Sequence, residues 1–301
     1  MADSVLLHFE RDAQAAGALA GLLGLPCVML ERHRFPDGEF RLRVPELPAA
    51  CAVVFATLDD PNEKLVELMI LAGCLRELGV GRIVLVAPYL CYMRQDIAFT
   101  PGEAVSQRIV GRFLAERFDA LITVDPHLHR ISSLEQAVPL DDAIALSAAP
   151  AIGEFLARER PGALLLGPDG ESAAWVSAAA QQAGLQHAVA SKVRSGDREV
   201  QIVLPEVELA GRQVVLIDDM ASTGRTLALA ARLVLQAGAS RVEAAVTHAL
   251  FFDDALQVMR DAGVGEIWSS DSIVHPSNRI ALAPMLAASL VPVLSRLKSS
   301  R

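Results

Sequence analysis

Residues 214–226, VVLIDDMASTGRT, put two adjacent carboxylates, Asp218 and Asp219, just ahead of a small hydroxyl-rich loop. Ser222, Thr223, Gly224 and Thr226 offer hydroxyls and successive backbone N–H groups, which together can surround a phosphate. The run LALAARLVLQAGA that follows reads as a helix, and its positive N-terminal end favours the same anion. The carboxylates cannot share that phosphate, because like charges repel. They suit sugar hydroxyls one sugar-length away, so the whole stretch describes a site for ribose 5-phosphate. The plainer reading is a tight strand-to-helix turn in which Asp219 and Ser222 cap the helix. No GxxxxGK[ST] or GxGxxG occurs, so the usual nucleotide loops do not compete.

Further stretches carry side chains with chemistry in them. RFPDGEFRLRVPE (34–46) contains a Pro36-Asp37-Gly38 turn signature. APYLCYMRQDIAFTPGEAVS (87–106) holds Arg94, whose planar fork suits phosphate, and Tyr89 and Tyr92, which by themselves read as packing residues. In TVDPHLHR (123–130) a strand ends at Asp125, and His127 and His129 follow at a two-residue interval. Imidazole is an unusual ligand for a hard ion that prefers oxygen, so this spacing alone assigns no magnesium. GPDGESAA (167–174) ends a strand in Asp169, a helix cap or a metal carboxylate, with Gly170 turning the chain. In SKVRSGDREVQIVLP (191–205) Lys192 and Arg194 share one strand face by the two-residue period, so their cations either converge or stand solvated.

Taken in order, these stretches resemble the ribose-phosphate pyrophosphokinases over roughly residues 33–280, and the wording FTPGEAVS is closer to the archaeal-type branch. The ribose loop alone is shared with type I phosphoribosyltransferases, which lack the FPDGE and RQD segments. The resemblance implies an enzyme that transfers the β,γ-diphosphoryl group of ATP to the 1-hydroxyl of ribose 5-phosphate, giving phosphoribosyl diphosphate (PRPP) and AMP. It assigns Phe35, Asp37 and Glu39 to adenine, and Arg94, Gln95 and Asp96 to the nucleotide. It gives His127 and Asp169 to Mg²⁺, with His129 as support, and Lys192 and Arg194 to the transition state. Asp218, Asp219, Ser222, Thr223, Gly224 and Thr226 fall to ribose 5-phosphate. A homo-oligomer is implied, with the adenine site near a subunit interface. A non-catalytic regulatory relative and a PRPP-using phosphoribosyltransferase are the alternatives; the retained Lys192, Arg194, His127 and Asp169 speak against the first. One position departs from the pattern, since Arg225 stands where the family has glycine. Either residue 225 keeps a right-handed backbone or phosphate binding is altered.

These residues need a scaffold, and the rest of the 301-residue sequence supplies one. Apolar runs at 4–9, 51–57, 82–89, 120–125, 163–169, 187–193, 213–219, 241–248 and 266–271 read as strands. Helical stretches such as 62–79 and 172–184 lie between them and stop at Gly79 and Gly184. The pattern predicts an α/β fold of two similar domains, each a mainly parallel sheet flanked by helices, and the resemblance makes them phosphoribosyltransferase-like. The segment between Pro139 and Pro161 changes character, so the expected domains are 1–146, with the ATP loops, and 147–301, with the ribose loop. The last stretch, APMLAASLVPVLSRLKSS, reads as a terminal helix able to pack on the first domain.

Composition narrows the partners. A net charge of −9 argues against a broad nucleic-acid-binding face, which needs clustered Lys and Arg. No apolar stretch reaches the length of a membrane-spanning helix, about 18 residues, and MADSVLLHFERDAQ lacks the pattern of a signal peptide. The four cysteines, Cys27, Cys51, Cys74 and Cys91, form no CxxC pair and sit among apolar neighbours. A cytoplasmic protein is expected.

Overall fold

The computed structural model describes residues 4–45, 49–128, 130–195 and 199–296. The chain divides into two compact units, Met1–Leu146 with Leu282–Arg301, and Ser147–Ala281. In the first unit β1 (Ser4–His8) is followed by α1 (Ala13–Leu23), β2 (Cys27–Met29), and an antiparallel hairpin of β3 (Glu31–Arg34) and β4 (Phe40–Arg43). Then come β5 (Cys51–Phe55), α2 (Pro61–Glu77), β6 (Arg82–Ala87), α3 (Ser106–Ala115), β7 (Ala120–Val124) and β8 (Ala143–Leu146). Six of these strands form a parallel sheet in the order β2-β1-β5-β6-β7-β8.

The second unit holds α4 (Ala149–Glu159), β9 (Leu164–Gly167), α5 (Ala173–Ala183), β10 (Gln186–Val189), β11 (Ser191–Ser195) and β12 (Glu199–Val203). It continues with β13 (Gln213–Ala221), α6 (Arg225–Gln236), β14 (Arg241–Ala249), α7 (Ala255–Asp261), β15 (Val264–Ser270) and β16 (Asn278–Ile280). Its parallel sheet runs β10-β9-β13-β14-β15-β16, while β11 and β12 pair as a separate antiparallel ribbon. Both six-stranded sheets therefore share one order, with the first strand of each lying between the second and the third. The helix α8 (Ala283–Ser295) packs against α1 and β7 of the first unit.

The central strands are continuous apolar runs because helices cover both faces of each sheet. CAVVF of β5 and ALITV of β7 are buried at every position. Helices are set against them at close range. In α3 a Cβ on Gly111 would lie 1.8 Å from the carbonyl oxygen of Ala137, so only glycine fits there. Gly79 and Gly184, expected to stop helices, adopt φ of 84° and 65°. Among the described residues no helix is long and apolar enough to cross a membrane, and the four cysteines are free.

One reading of the sequence needs correction, and one needs detail. The run HAVASKV is not one strand, for the chain leaves the sheet at Ala190 and 191–195 belongs to the ribbon. The Pro139–Pro161 segment, read only as a change of character at the domain boundary, contains both β8 and α4. Its strand went unseen because it is short and only partly buried at the sheet edge.

Candidate active site

In an open parallel sheet, ligands settle beyond the carboxyl ends of the strands where the strand order reverses. In the second unit that point lies between β9 and β13, and the acids of the sequence reading meet there. β9 ends at Gly167, which must be glycine because a Cβ would sit 2.3 Å from Ser172 Oγ. The chain then extends to Asp169, a buried residue. Its Oδ1 accepts the Glu171 N–H at 3.0 Å, and its Oδ2 accepts from Lys192 Nζ at 3.2 Å. Asp169 is thus a helix cap and an ion-pair partner at once.

β13 runs four residues past Ile217, so Asp218 and Asp219 lie inside the strand, paired with β14. Asp219 is buried, and its N–H donates to Asp218 Oδ1 at 3.0 Å. Burial holds the Asp218 carboxyl well above the usual carboxylate range, and the negative charges of Asp219 and Asp169 push the same way. Asp218 therefore feels two other carboxylates, Asp169 and Asp219, and among the described residues Lys192 is the ammonium that pairs with Asp169.

The turn expected to hold ribose 5-phosphate, Ser222–Gly224, enters α6 without a side-chain cap and with no acidic residue in the first turn. Its free helical N–H groups and positive dipole end remain open to an anion. Gly224 carries the positive φ, 69°, and a Cβ there would meet the Ala255 carbonyl oxygen and Met259 Cγ, each at 2.9 Å. Arg225 is simply the first residue of α6, with an ordinary right-handed backbone. Its departure from the family pattern therefore strains nothing.

The sequence reading missed the brace behind this turn. Phe251 N–H donates to the Ala221 carbonyl at 2.8 Å and Phe252 N–H to that of Ser222 at 3.0 Å. Phe251 and Asp253, on either side of Phe252, adopt φ of 26° and 51°. Lys192 and Arg194 sit on β11 opposite Ile202 and Val200. The Arg194 side chain and residues 196–198, including Gly196, lie outside the described residues.

In the first unit the hairpin β3–β4 stands exposed. Asp37 Oδ1 accepts the Glu39 N–H at 3.1 Å, and Gly38 turns at φ 95°, so the expected β-turn forms. Phe35 at its tip is 40% exposed and meets His33 edge-on at 4.9 Å. Arg32 and Arg34 tie the hairpin to α2 through Glu63, and Arg32 also reaches Glu67 at 2.8 Å.

Arg94, Gln95 and Asp96 have different surroundings. Arg94 is exposed and has no partner among the described residues, whereas Gln95 Oε1 accepts from Ser106 Oγ at 2.9 Å. Asp96 is buried, and its Oδ1 accepts from Arg130 Nη1 at 2.6 Å while Oδ2 has no hydrogen bond. Arg130 was overlooked, although it lies three residues beyond His127. His127 is half-buried after β7, in a turn where Asp125 adopts φ 39° and bonds Leu146 O at 2.8 Å. His129 lies outside the described residues.

Comparison with known proteins gives one family. The N-terminal domain of ribose phosphate pyrophosphokinase matches residues 4–117, and the phosphoribosyl transferase domain matches residues 139–267. The ribose-phosphate pyrophosphokinase of Methanopyrus kandleri is 36% identical over 287 residues, covering 94% of this chain and 97% of that one. That of Thermococcus kodakarensis is 33% identical, covering 93% and 95%. In structure, the phosphoribosylpyrophosphate synthetase of Mycobacterium smegmatis has the same fold, with a TM-score of 0.81 at 22% identity over 98% of this chain and 99% of that one.

Proposed function

The chain belongs to the ribose-phosphate pyrophosphokinase family, and from that membership we propose that it makes PRPP and AMP from ATP and ribose 5-phosphate. The 1-hydroxyl oxygen of the sugar attacks the β-phosphorus of ATP. The bond from that phosphorus to the α,β-bridging oxygen breaks, AMP leaves, and the hydroxyl proton passes to solvent. Such transfer is mainly positioning and charge stabilisation.

The observation that carries this reading is the meeting of Asp169, Lys192, Asp218 and Asp219 beside an uncapped helix entry. Ser222, Thr223, Gly224 and Thr226 hold the 5-phosphate, and Asp218 and Asp219 accept from the ribose hydroxyls. Lys192, already drawn to a carboxylate, has the charge and reach to face oxygens of the transferred group, and Arg194 is assigned to the same task. Phe35, Asp37 and Glu39 are assigned to adenine, and Arg94, Gln95 and Asp96 to the rest of the nucleotide.

Magnesium fits a site of this kind. Among the described residues no three His, Cys, Asp or Glu side chains form a ready-made shell. Mg²⁺ commonly takes one or two protein ligands and fills the rest with water and phosphate oxygens. His127 and Asp169 are assigned one ligand position each, and the ion would neutralise polyphosphate charge when bound.

We place the enzyme in the cytoplasm, as a homo-oligomer with its adenine hairpin near a subunit boundary. The exposed apolar side chains of Val66, Met69 and Ile109 support the second point. The test is coupled formation of AMP and PRPP from ATP, Mg²⁺ and ribose 5-phosphate, with Lys192→Ala as control. AMP appearing in step with PRPP supports the reading. Tight binding of both substrates without turnover sinks it and leaves a regulatory relative.

A further inference from the structure

Arg94 is exposed, yet the chain around it is held from three directions. On one side of it Met93 is buried, and its carbonyl accepts from Gln107 Nε2 at 3.0 Å. On the other side the Gln95 carbonyl accepts the Gln107 N–H at 3.2 Å, and the Gln95 side chain accepts from Ser106 Oγ. The first turn of α3 therefore pins both neighbours of Arg94. Tyr92, at φ 61°, donates from its hydroxyl to Asn62 Oδ1 at 2.5 Å, in the first turn of α2. The third hold comes from the loop after β7, where Arg130 Nη1 donates to Asp96 Oδ1 at 2.6 Å.

Asp96 is badly placed to touch a ligand itself. Its side chain is 3% exposed, Oδ1 is taken by Arg130, and Oδ2 is enclosed without a hydrogen bond. A carboxylate that deep is tolerated only beside a cation, and among the described residues Arg130 is the cation paired with it. The Arg130 side chain is 52% exposed, so the pair runs from the surface inward. It joins the loops that leave two neighbouring strands, β6 and β7, at their carboxyl ends.

We propose that Arg130 is a positioning residue for the nucleotide: through Asp96 it holds residues 93–96 so that Arg94 and Gln95 meet ATP already in place. This deepens the nucleotide assignment made above and rests on it. A long cation on a fixed backbone binds a polyphosphate at a smaller entropic cost than one on a wandering loop. The bonds from α3 and α2 fix the segment at Tyr92, Met93 and Gln95, and Arg130 fixes its far end at Asp96. Without Arg130 the enclosed carboxylate must take up a proton or move toward water. Either change opens the clasp next to Gln95 and Arg94.

The test is calorimetric titration of the full chain with ATP and Mg²⁺ in the absence of ribose 5-phosphate, with KM measured for both substrates. Arg130→Met should weaken ATP binding about tenfold and raise KM for ATP in step, leaving KM for ribose 5-phosphate unmoved. Arg130→Lys should recover part of the loss. Asp96→Asn should weaken ATP by a similar factor, and Arg130→Met/Asp96→Asn by no more than either change alone, because the two side chains act as one clasp. The double variant buries no unpaired charge, so it reports even where Arg130→Met fails to fold. ATP affinity in the double variant equal to that of the unaltered chain overturns the proposal, and so do losses that multiply. A loss in Arg130→Met that Asp96→Asn does not share overturns it too, since Arg130 would then touch the nucleotide directly. Equal losses for both substrates mark a general loss of structure and also overturn it. If the unaltered chain takes up no ATP, the nucleotide assignment falls and the proposal with it; if Arg94→Ala weakens ATP and the Arg130 variants do not, the assignment stands and the proposal alone falls.

Discussion

Gly224→Ala isolates what the proposed ribose turn asks of its backbone. Residue 224 sits at φ 69°, where an L side chain costs about 1–2 kcal/mol. The new methyl would lie 2.9 Å from Met259 Cγ, which can swing away, and 2.9 Å from the Ala255 carbonyl oxygen, which cannot. Overpacking of this kind adds about 1–3 kcal/mol. The expected loss is therefore about 2–5 kcal/mol in urea unfolding, with KM for ribose 5-phosphate raised in step. Arg225→Gly is the informative companion. If residue 225 needed a glycine, the change would stabilise the chain; here it is the first residue of α6, so glycine should cost about 0.5–1 kcal/mol. A Gly224→Ala loss under about 0.5 kcal/mol, or a gain in Arg225→Gly, refutes the reasoning.

Other variants separate roles in the same way. Lys192→Ala should lower kcat on the order of 10²–10³-fold, and Lys192→Arg should restore part of it. Glu243 is fully buried, accepts from Arg160 Nε at 2.5 Å and Nη2 at 2.6 Å, and pairs with Arg241 at 2.8 Å. Glu243→Gln removes the charge from both pairs and should cost about 1–3 kcal/mol in denaturant unfolding. The pKa of Asp12 is pushed up to about 6, chiefly by burial, so the native state holds its proton more tightly than the unfolded chain. Stability should then fall as pH rises from about 4 to about 6, and melting curves of Asp12→Asn should lack that component.

Much of the scaffold was legible because its central strands are unbroken apolar runs, the mark of a sheet covered on both faces. What escaped notice has physical causes. β2, β8 and β16 are short edge strands with mixed burial, so no period stands out. The break at Ala190 has no residue-type signature, because the apolar pattern runs straight through it. Asp169 meets Lys192 from 23 positions away, and Asp96 meets Arg130 from 34. Spacing along the chain cannot reveal such pairs. The Phe251–Phe252 brace works through main-chain N–H groups, which every residue but proline owns. Arg225 misled for the opposite reason, since a motif records residue types and not which of them bears the positive φ.

The shared strand order allows a comparison that the sequence alone does not. In the first unit the corresponding crevice lies between β1 and β5, and there too two adjacent acids occur, Asp59 and Asp60, just ahead of α2. There, however, Lys64 from the first turn of α2 is buried among them. Its Nζ donates to Thr57 O at 3.1 Å, to Asp59 Oδ1 at 2.6 Å and to the Asp59 carbonyl. Arg11 adds a bond to Thr57 O at 2.7 Å and lies 3.8 Å from the buried Asp12. Asp59 is thus answered from within, and a bound cation or sugar would have to displace an ammonium already in place. In the second unit Lys192 reaches Asp169, while Asp218 is left repelled by its neighbours. One strand order thus gives a crevice in which an ammonium sits among the acids and another in which Asp218 is pressed by two carboxylates. The difference lies in which element supplies the cation: the first turn of the following helix in one unit, a separate ribbon in the other.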